Sequence, residues 1–156
     1  MSTTTFESLG IESPLLEVLN ELGYEAPTPI QAQTLAPLLA GRDVLAQSET
    51  GSGKTAAFTL PILQRLGAAS LSEGVRALIL CPTRELCAQV AREVRKLGRH
   101  LHGLSVLTLT GGEPFQAQKA SLERGVNIVV GTPGRTLDHL RRETLDVSSV
   151  ETVVLD

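Results

Sequence analysis

The chain has 156 residues and a formal net charge of −3, with 42% hydrophobic and 20% charged residues. These values are ordinary for one soluble globular domain, and the acidic balance argues against a protein that coats nucleic acid through charge alone. There is neither a secretory leader nor an apolar run of membrane-spanning length, so we expect a cytoplasmic location and no membrane partner. Cys81 and Cys87 have no further Cys or suitably spaced His to complete a metal site, and we expect both to be reduced and buried.

Two helices are predicted in the N-terminal part of the chain. The segment Pro14–Leu22 places its apolar residues on one helical face. A second helix is predicted to begin after Thr28 and to run to about Ala40. Thr28 suits the N-cap position, and Pro29 suits the first helical position because its missing N–H is not needed there.

Gln31 has two interpretations. It stands three residues after Thr28, where a Gln side chain completes a capping box. Its amide also carries an acceptor and two donors, which match the acceptor and donor on the edge of adenine. One Gln can serve both purposes, so a structural and a nucleotide-binding role are both left open.

The stretch Ser48–Thr55 has the composition of a phosphate-binding loop. It follows the apolar run Asp43–Ala46 and leads into a helix-compatible segment, which is the strand-loop-helix setting that such a loop requires. Gly51 and Gly53 permit backbone angles that turn successive N–H groups, including that of Ser52, around a polyanion. The start of the helix adds further N–H groups and the positive end of its dipole.

Two side chains at the end of this loop suit a nucleotide and its metal. Lys54 supplies a cation for the outer phosphates, and the Thr55 hydroxyl is a hard oxygen ligand suited to Mg²⁺. The usual pattern opens with Gly, whereas Ser48 stands here. The alternative is a Gly/Ser-rich connection in which Lys54 is merely solvated.

The arrangement of apolar segments predicts an α/β fold. Five strands are predicted, at Asp43–Gln47, Ala77–Cys81, Ser105–Leu109, Val126–Val130 and Val150–Leu155. Helical patterns separate the later ones, at Thr83–Leu97, Glu113–Arg124 and Thr132–Arg142. This alternation indicates crossover units and a mostly parallel sheet that is covered on both faces, which gives three layers.

The loops that follow three of these strands are candidates for ligand binding, because ligands of such sheets sit at the carboxyl ends of the strands. Helix starts and turns alone explain their Thr and Pro residues. Each loop also carries glycines or an arginine beside new helix N–H groups, which suits the regularly spaced phosphates of a nucleic-acid strand. The candidate residues are Pro82, Thr83, Arg84, Gly111, Gly112, Thr132, Pro133, Gly134 and Arg135. Most other basic residues, His139 among them, are interpreted as solvated helix faces.

In these motifs the chain resembles the first RecA-like domain of DEAD-box ATP-dependent RNA helicases. Phe6 and Gly23–Gln31 are similar to the Q motif of that family, and Ser48–Thr55 to its motif I. The remaining likenesses are Pro82–Leu86 to motif Ia, Gly111-Gly112 to the GG element, Thr132–Arg135 to motif Ib and Val153–Asp156 to the opening of motif II. The resemblance implies residues 1–40 as an N-terminal segment that carries the Q motif, and residues 41–156 as a RecA-like ATP-binding domain.

The resemblance also implies ligands and roles. ATP and Mg²⁺ would be the cofactors, with Gln31 on adenine and Phe6 packed on the base. Asp156 would hold the metal through water and would share the catalytic role with Lys54. The strand-end residues would lie along an RNA backbone without reading its sequence. In the family, ATP binding closes two such domains over RNA and separates short duplexes locally.

The chain departs from the family pattern at its end, because Asp156 is the last residue. The Glu expected next, the second RecA-like domain and its arginine fingers do not follow, so we expect the fold to be incomplete at its C-terminus and this chain alone to be catalytically incomplete. We expect no obligate homo-oligomer.

Two alternative functions are open at this point. One is a non-enzymatic half-domain that binds nucleotide and RNA and acts as a decoy or partner module. The other is a phosphate-loop protein of another class.

Overall fold

The computed structural model describes residues 2–69, 71 and 74–156. The described residues form six helices, α1 Leu15–Glu21, α2 Pro29–Leu39, α3 Lys54–Gly67, α4 Arg84–Leu97, α5 Phe115–Arg124 and α6 Pro133–Arg141. They also form four strands, β1 Ala77–Leu80, β2 Val106–Leu109, β3 Ile128–Gly131 and β4 Thr152–Leu155.

The chain divides into two compact units. The first contains the residues up to Ala68 together with Lys96–His102, and the second contains Ala69–Arg95 and Gly103–Asp156. The α4 helix begins in the second unit, and its last two residues belong to the first. The boundary at residue 40 that the family resemblance implies remains a prediction.

In the first unit, side-chain hydrogen bonds join the helices to their connections. The Gln64 amide on α3 donates to the Gly10 carbonyl (2.8 Å) and accepts from the Glu12 N–H (2.9 Å), which fixes the N-terminal segment. Arg99 and His100 bind the Glu21 carboxylate, and the Arg99 hydrogen bond is the main reason that the pKa of Glu21 lies below its usual value. These contacts hold α1 and the segment after α4 together.

The second unit is built on a parallel sheet with the strand order β2-β3-β1-β4. Every pair in it is parallel, so the predicted mostly parallel α/β sheet is confirmed in this stronger form. The crossover from β1 to β2 runs in the opposite direction to those from β2 to β3 and from β3 to β4. Since such crossovers are right-handed, α4 covers one face and α5 and α6 cover the other.

Side-chain burial agrees with this layering. One cluster combines strand residues with Leu122 of α5 and Leu140 of α6, and its buried members are Val75, Leu78, Leu109, Val126, Val129 and Leu145. On α4, the buried residues Cys87, Val90, Ala91 and Val94 follow the spacing of one helical face. The sheet therefore has an apolar layer on each side, which is why its strands are apolar throughout.

The fifth strand predicted, Asp43–Gln47, is wrong. Residues 41–47 are exposed and form neither helix nor strand, and the Leu45 side chain is fully accessible. A strand needs a neighbour for its N–H and C=O groups, and no strand in the described part of the chain pairs with this segment. β4 likewise pairs only with β1 among the described strands, and it leaves Val153 and Leu155 exposed.

Candidate functional site

The glycine loop ahead of α3 has the backbone geometry that its sequence predicts. Gly51 has φ +81° and Gly53 has φ +90°, values that favour glycine. Gly53 is the N-cap of α3, so Lys54 and Thr55 are the first two helical residues and the helix N-terminus opens onto the loop. The Ser48 and Ser52 hydroxyls are 2.6 Å apart and hydrogen-bonded to each other. A side-chain hydrogen bond therefore joins the first residue of the loop to its fifth.

Gln31 links the second helix to this loop. Thr28 and Gln31 form the predicted capping box, in which the Gln31 Oε1 atom accepts from the Thr28 N–H at 2.9 Å. The Nε2 atom of the same amide donates to the Gly53 carbonyl at 3.1 Å. Gln31 is only 1% exposed. The capping interpretation is confirmed, and the amide also fixes the residue that begins α3.

We expect Gly53→Ala to lower the free energy of unfolding by about 1–3 kcal/mol, because the positive φ strains any side chain and the new Cβ has no room. A Cβ at Gly53 would lie 2.5 Å from the Gln31 Nε2 atom and 3.0 Å from the Thr28 Oγ1 atom. Thermal unfolding followed by circular dichroism measures the loss. Gly51→Ala is the matched control, since that position has a similar φ but no atom within 4 Å of its Cβ. Equal losses in the two variants would contradict a steric role for Gln31.

The Phe6 side chain is buried and not exposed on the surface. It is 5% exposed, and its ring packs edge-on against Tyr24 with centroids 6.3 Å apart. Its location in the first unit, beside the Q-motif-like segment that includes Tyr24, agrees with the resemblance. Its contact with a base remains a prediction.

Asp156 follows β4 in the second unit, and its N–H donates to the Leu80 carbonyl at 2.9 Å. This bond continues the parallel pairing with β1, so Asp156 lies at the carboxyl edge of the sheet. Lys54 and Thr55 belong to the first unit. The metal role predicted for Asp156 and Thr55 remains a prediction.

Three strand-end loops of the second unit meet, and the turn after β2 is central to them. Arg84, the first residue of α4, donates through Nη1 to the Gly111 carbonyl at 3.1 Å. Gly112 has φ +85°, and a Cβ there would collide with the Arg84 guanidinium. Arg135 of α6 donates through its own Nη1 to the Glu113 carbonyl at 3.0 Å. Two guanidinium groups from different helices are therefore attached to one turn, Gly111–Glu113.

The Pro82-Thr83 and Thr132-Pro133 sequences around this turn start helices in two different ways. The Thr83 hydroxyl accepts from the Leu86 N–H at 3.1 Å and so caps α4, directly after the exposed Pro82. Thr132 precedes Pro133 at the start of α6, but its hydroxyl makes no cap and bonds the Leu109 carbonyl at 3.4 Å. That bond ties the end of β3 to the end of β2. Pro133 and Gly134 are exposed in the first turn of α6.

Behind the turn lies a buried polar cluster that the sequence interpretation missed. The charge pattern of α6 predicts a solvated face, but His139 on that helix is 0% exposed and stacks on Phe115 with ring centroids 4.1 Å apart. Its Nε2 atom is 2.8 Å from the Gln118 Oε1 atom. Burial, and then the positive charge of Arg135, lowers the pKa of His139 below its usual value. The only sequence signal was the position of His139 four residues after Arg135, on the same side of α6.

The two cysteines are buried and form no disulfide, as predicted. Burial is the main reason that the pKa of Cys81 is raised to about 12 and that the pKa of Cys87 is also raised. Since the thiolate is the reactive form, we expect neither residue to react with iodoacetamide at pH 8 in the folded protein, and both to react after denaturation. Mass spectrometry counts the adducts. Rapid alkylation of the folded chain would contradict this burial.

Of the other basic residues, Arg92, Arg95, Lys96 and Arg141 are exposed on α4 and α6, as predicted. Arg95 donates to the Val106 carbonyl, and Arg142 lies over the Phe115 ring at 4.4 Å.

An open cleft beside the turn after β2 is lined by Arg84, Glu85, Ala88, Thr108, Thr110 and Glu113. None of the six helices that the structure describes is both long and apolar enough to span a bilayer.

Comparison with known proteins agrees with this architecture. The model of the DEAD/DEAH box helicase family matches residues 28–156. The chain is 52% identical over 153 residues to the ATP-dependent RNA helicase DeaD of Escherichia coli strain K12, covering 98% of this chain and 24% of that protein. It is 49% identical to the ATP-dependent RNA helicase DbpA of the same strain, covering 98% of this chain and 33% of that protein.

Two solved structures are similar in fold and in sequence. The RNA helicase Prp28 from Chaetomium thermophilum, bound to ADP, superposes with a TM-score of 0.88 at 39% identity, covering 97% of this chain and 38% of that one. A hypothetical ATP-dependent RNA helicase from Sulfolobus tokodaii gives a TM-score of 0.81 at 39% identity, covering 91% and 40%.

The parallel sheet and these neighbours define a RecA-like α/β fold. The chain belongs to the DEAD/DEAH box helicase family. It spans 24% and 33% of the lengths of the two curated relatives described above.

Proposed function

We propose that this chain is the first RecA-like part of an ATP-dependent RNA helicase, in which it binds ATP and contacts the RNA backbone. The observation that best supports the RNA half of this proposal is the attachment of Arg84 and Arg135 to one turn, Gly111–Glu113, at the carboxyl edge of the sheet. Side chains held in this way present guanidinium donors at fixed positions, which suits phosphates. These contacts would grip the backbone of RNA and leave its bases unread.

The residues of the glycine loop fit a nucleotide and its metal. The cradle at Gly51–Gly53 has positive φ at both glycines and leads directly into the N-terminus of α3, where anions are favoured. Lys54 would bind the outer phosphates, and Thr55, with Asp156 through water, would hold Mg²⁺, which neutralises phosphate charge. Gln31 and Phe6 would contact the adenine. Because the Gln31 amide also bonds Gly53, adenine recognition and loop position would depend on the same side chain.

The reaction that we propose for the longer helicase is ATP hydrolysis coupled to local separation of RNA duplexes. The relatives named as ATP-dependent RNA helicases support this assignment. These 156 residues would supply contacts to the phosphates, the metal and the RNA. Efficient hydrolysis would also need a water-polarising carboxylate and arginine fingers, the latter from a second RecA-like domain that acts as partner. A cytoplasmic location and the lack of an obligate homo-oligomer are further proposals from the sequence.

Titration of labelled single-stranded RNAs, followed by fluorescence anisotropy, tests the RNA half of the proposal. RNAs of equal length and different sequence are expected to bind with the same weak affinity, and the affinity is expected to fall as salt rises. A clear preference for one base sequence, or an affinity that is independent of salt, would contradict recognition through the backbone.

A further inference from the structure

A chain of buried and partly buried hydrogen bonds runs from the end of β2 to the last turn of α6. Gln118 of α5, 4% exposed, donates through Nε2 to the Thr110 carbonyl at 3.0 Å. Its Oε1 atom lies 3.0 Å from Arg135 Nη1 and 2.8 Å from His139 Nε2. The Nδ1 atom of His139 is 2.7 Å from the Thr144 hydroxyl. The Gln118 amide thus contacts the loop after β2, the Arg135 guanidinium and the buried His139 imidazole.

These partners fix the orientation of each group. The Thr110 carbonyl only accepts, so it must face the NH₂ group of Gln118. The amide oxygen then faces Arg135 and His139, and because it cannot donate, the imidazole must carry a proton on Nε2. The Nδ1 atom lies 2.7 Å from the Thr144 hydroxyl, whose single proton has a second acceptor in the His139 carbonyl at 3.1 Å.

The same contacts occupy both donors of the Arg135 Nη1 atom. The Nη1 atom has two N–H groups, and its two partners are the Gln118 amide oxygen and the Glu113 carbonyl. The Arg135 guanidinium carbon lies 5.9 Å from the centroid of the Phe115 ring, and the same ring stacks on His139. The Nε atom of Arg135 lies 4.0 Å from an Asp138 carboxylate oxygen.

We propose that Gln118 and His139 are positioning residues that hold Arg135 and the turn after β2 in one fixed arrangement for RNA binding. This inference rests on the proposed function, because it assigns a role to residues behind the same edge. Neither residue need touch the RNA. Gln118 acts through Arg135 and Thr110, and His139 keeps the Gln118 amide in the only orientation that serves both.

Burial and the neighbouring charges decide the protonation state of His139. The charged groups around the imidazole are Arg135 and Asp138 on its own helix and Arg142 at the C-cap of that helix, while the hydrogen-bond partners, Gln118 and Thr144, are neutral. Burial and Arg135 lower the pKa of His139, so the folded protein favours the neutral ring. The unfolded chain binds the extra proton first, and stability attributable to His139 is therefore lost as the pH falls below about 6.5.

The test is a double-mutant cycle on RNA affinity with Gln118→Met and Arg135→Ala. Met has a similar volume to Gln but removes all three hydrogen bonds of the amide. Gln118→Met is expected to weaken RNA binding about fivefold, because Arg135 loses a charge-assisted anchor. The double variant is expected to bind no more than about twofold worse than Arg135→Ala alone, because both changes act on one group. Independent, multiplying effects would overturn the positioning role.

Two further measurements separate the outcomes. A long-range ¹H–¹⁵N spectrum of the wild-type chain at pH 7 is expected to show a neutral His139 with its proton on Nε2. A ring without a proton on Nε2 would overturn the positioning role whatever the RNA result. If the spectrum is as expected but Arg135→Ala binds RNA normally, the proposed RNA interface fails, and the positioning role fails with it.

Gln118→Glu is a second variant, since its carboxylate still accepts from Arg135 and His139 but cannot donate to the Thr110 carbonyl. It is expected to protonate His139 at pH 7, and an unchanged neutral ring would overturn the contact.

Discussion

Replacement of Lys54 by alanine is expected to weaken ATP binding by about tenfold or more. A charge-assisted hydrogen bond to phosphate contributes about 1.5–3 kcal/mol, and each 1.4 kcal/mol is a factor of ten in affinity. Lys54 is the first residue of α3, so its charge lies at the helix end that already favours anions. Titration with a fluorescent ATP analogue in the presence of Mg²⁺ measures the change.

Lys119→Ala is the matched control for this experiment. Lys119 is a surface lysine on α5 whose nearest carboxylate is Glu123 at 3.9 Å, so its removal changes the net charge by the same amount. It is expected to leave ATP affinity unchanged. If Lys54→Ala binds ATP as well as the wild-type chain, the interpretation of Ser48–Thr55 as a phosphate loop is wrong.

The double replacement Arg84→Ala and Arg135→Ala is expected to reduce RNA affinity by more than about tenfold at low salt, because it removes two guanidinium groups from the turn Gly111–Glu113. If each arginine neutralises one phosphate, the slope of log K against log salt becomes shallower by about 1.4 for single-stranded RNA. Fluorescence anisotropy at several salt concentrations measures both quantities.

The control is a basic residue far from this edge. Arg124 is the last residue of α5 and donates to the Ser121 hydroxyl. Because α5 leads from the end of β2 to the start of β3, Arg124 lies toward the amino ends of the strands, away from the carboxyl edge. Arg124→Ala is expected to change the affinity by less than about twofold. A loss as large as that of the double variant would mean that net charge, and not the two placed arginines, governs binding.

Much of the fold is predictable because its signals are local. The capping box at Thr28 and Gln31 and the glycines before Lys54 each act within a few residues, and the structure has them as predicted. The strand at Asp43–Gln47 was not predictable in the same way. Its composition suits a strand, but a strand also depends on a neighbour that composition does not reveal.

The buried cluster behind the turn was missed for a different reason. Gln118 and His139 are 21 residues apart, and neither stands in a local motif. A His among arginines on a polar helix resembles a solvated surface, and only the packing of α6 against α5 through Phe115 buries it. The second bond of Gln31, to Gly53, is likewise a contact over 22 residues that no helix-start pattern contains.

The measurement that tests the central claim most directly is competition between ATP and GTP for the nucleotide site. The wild-type chain is loaded with a fluorescent ATP analogue, and each unlabelled nucleotide is then titrated in. We expect ATP to displace the analogue at a much lower concentration than GTP, because Gln31 would match the edge of adenine and not that of guanine. Equal displacement, or a preference for GTP, would contradict the assignment of an ATP-binding helicase domain.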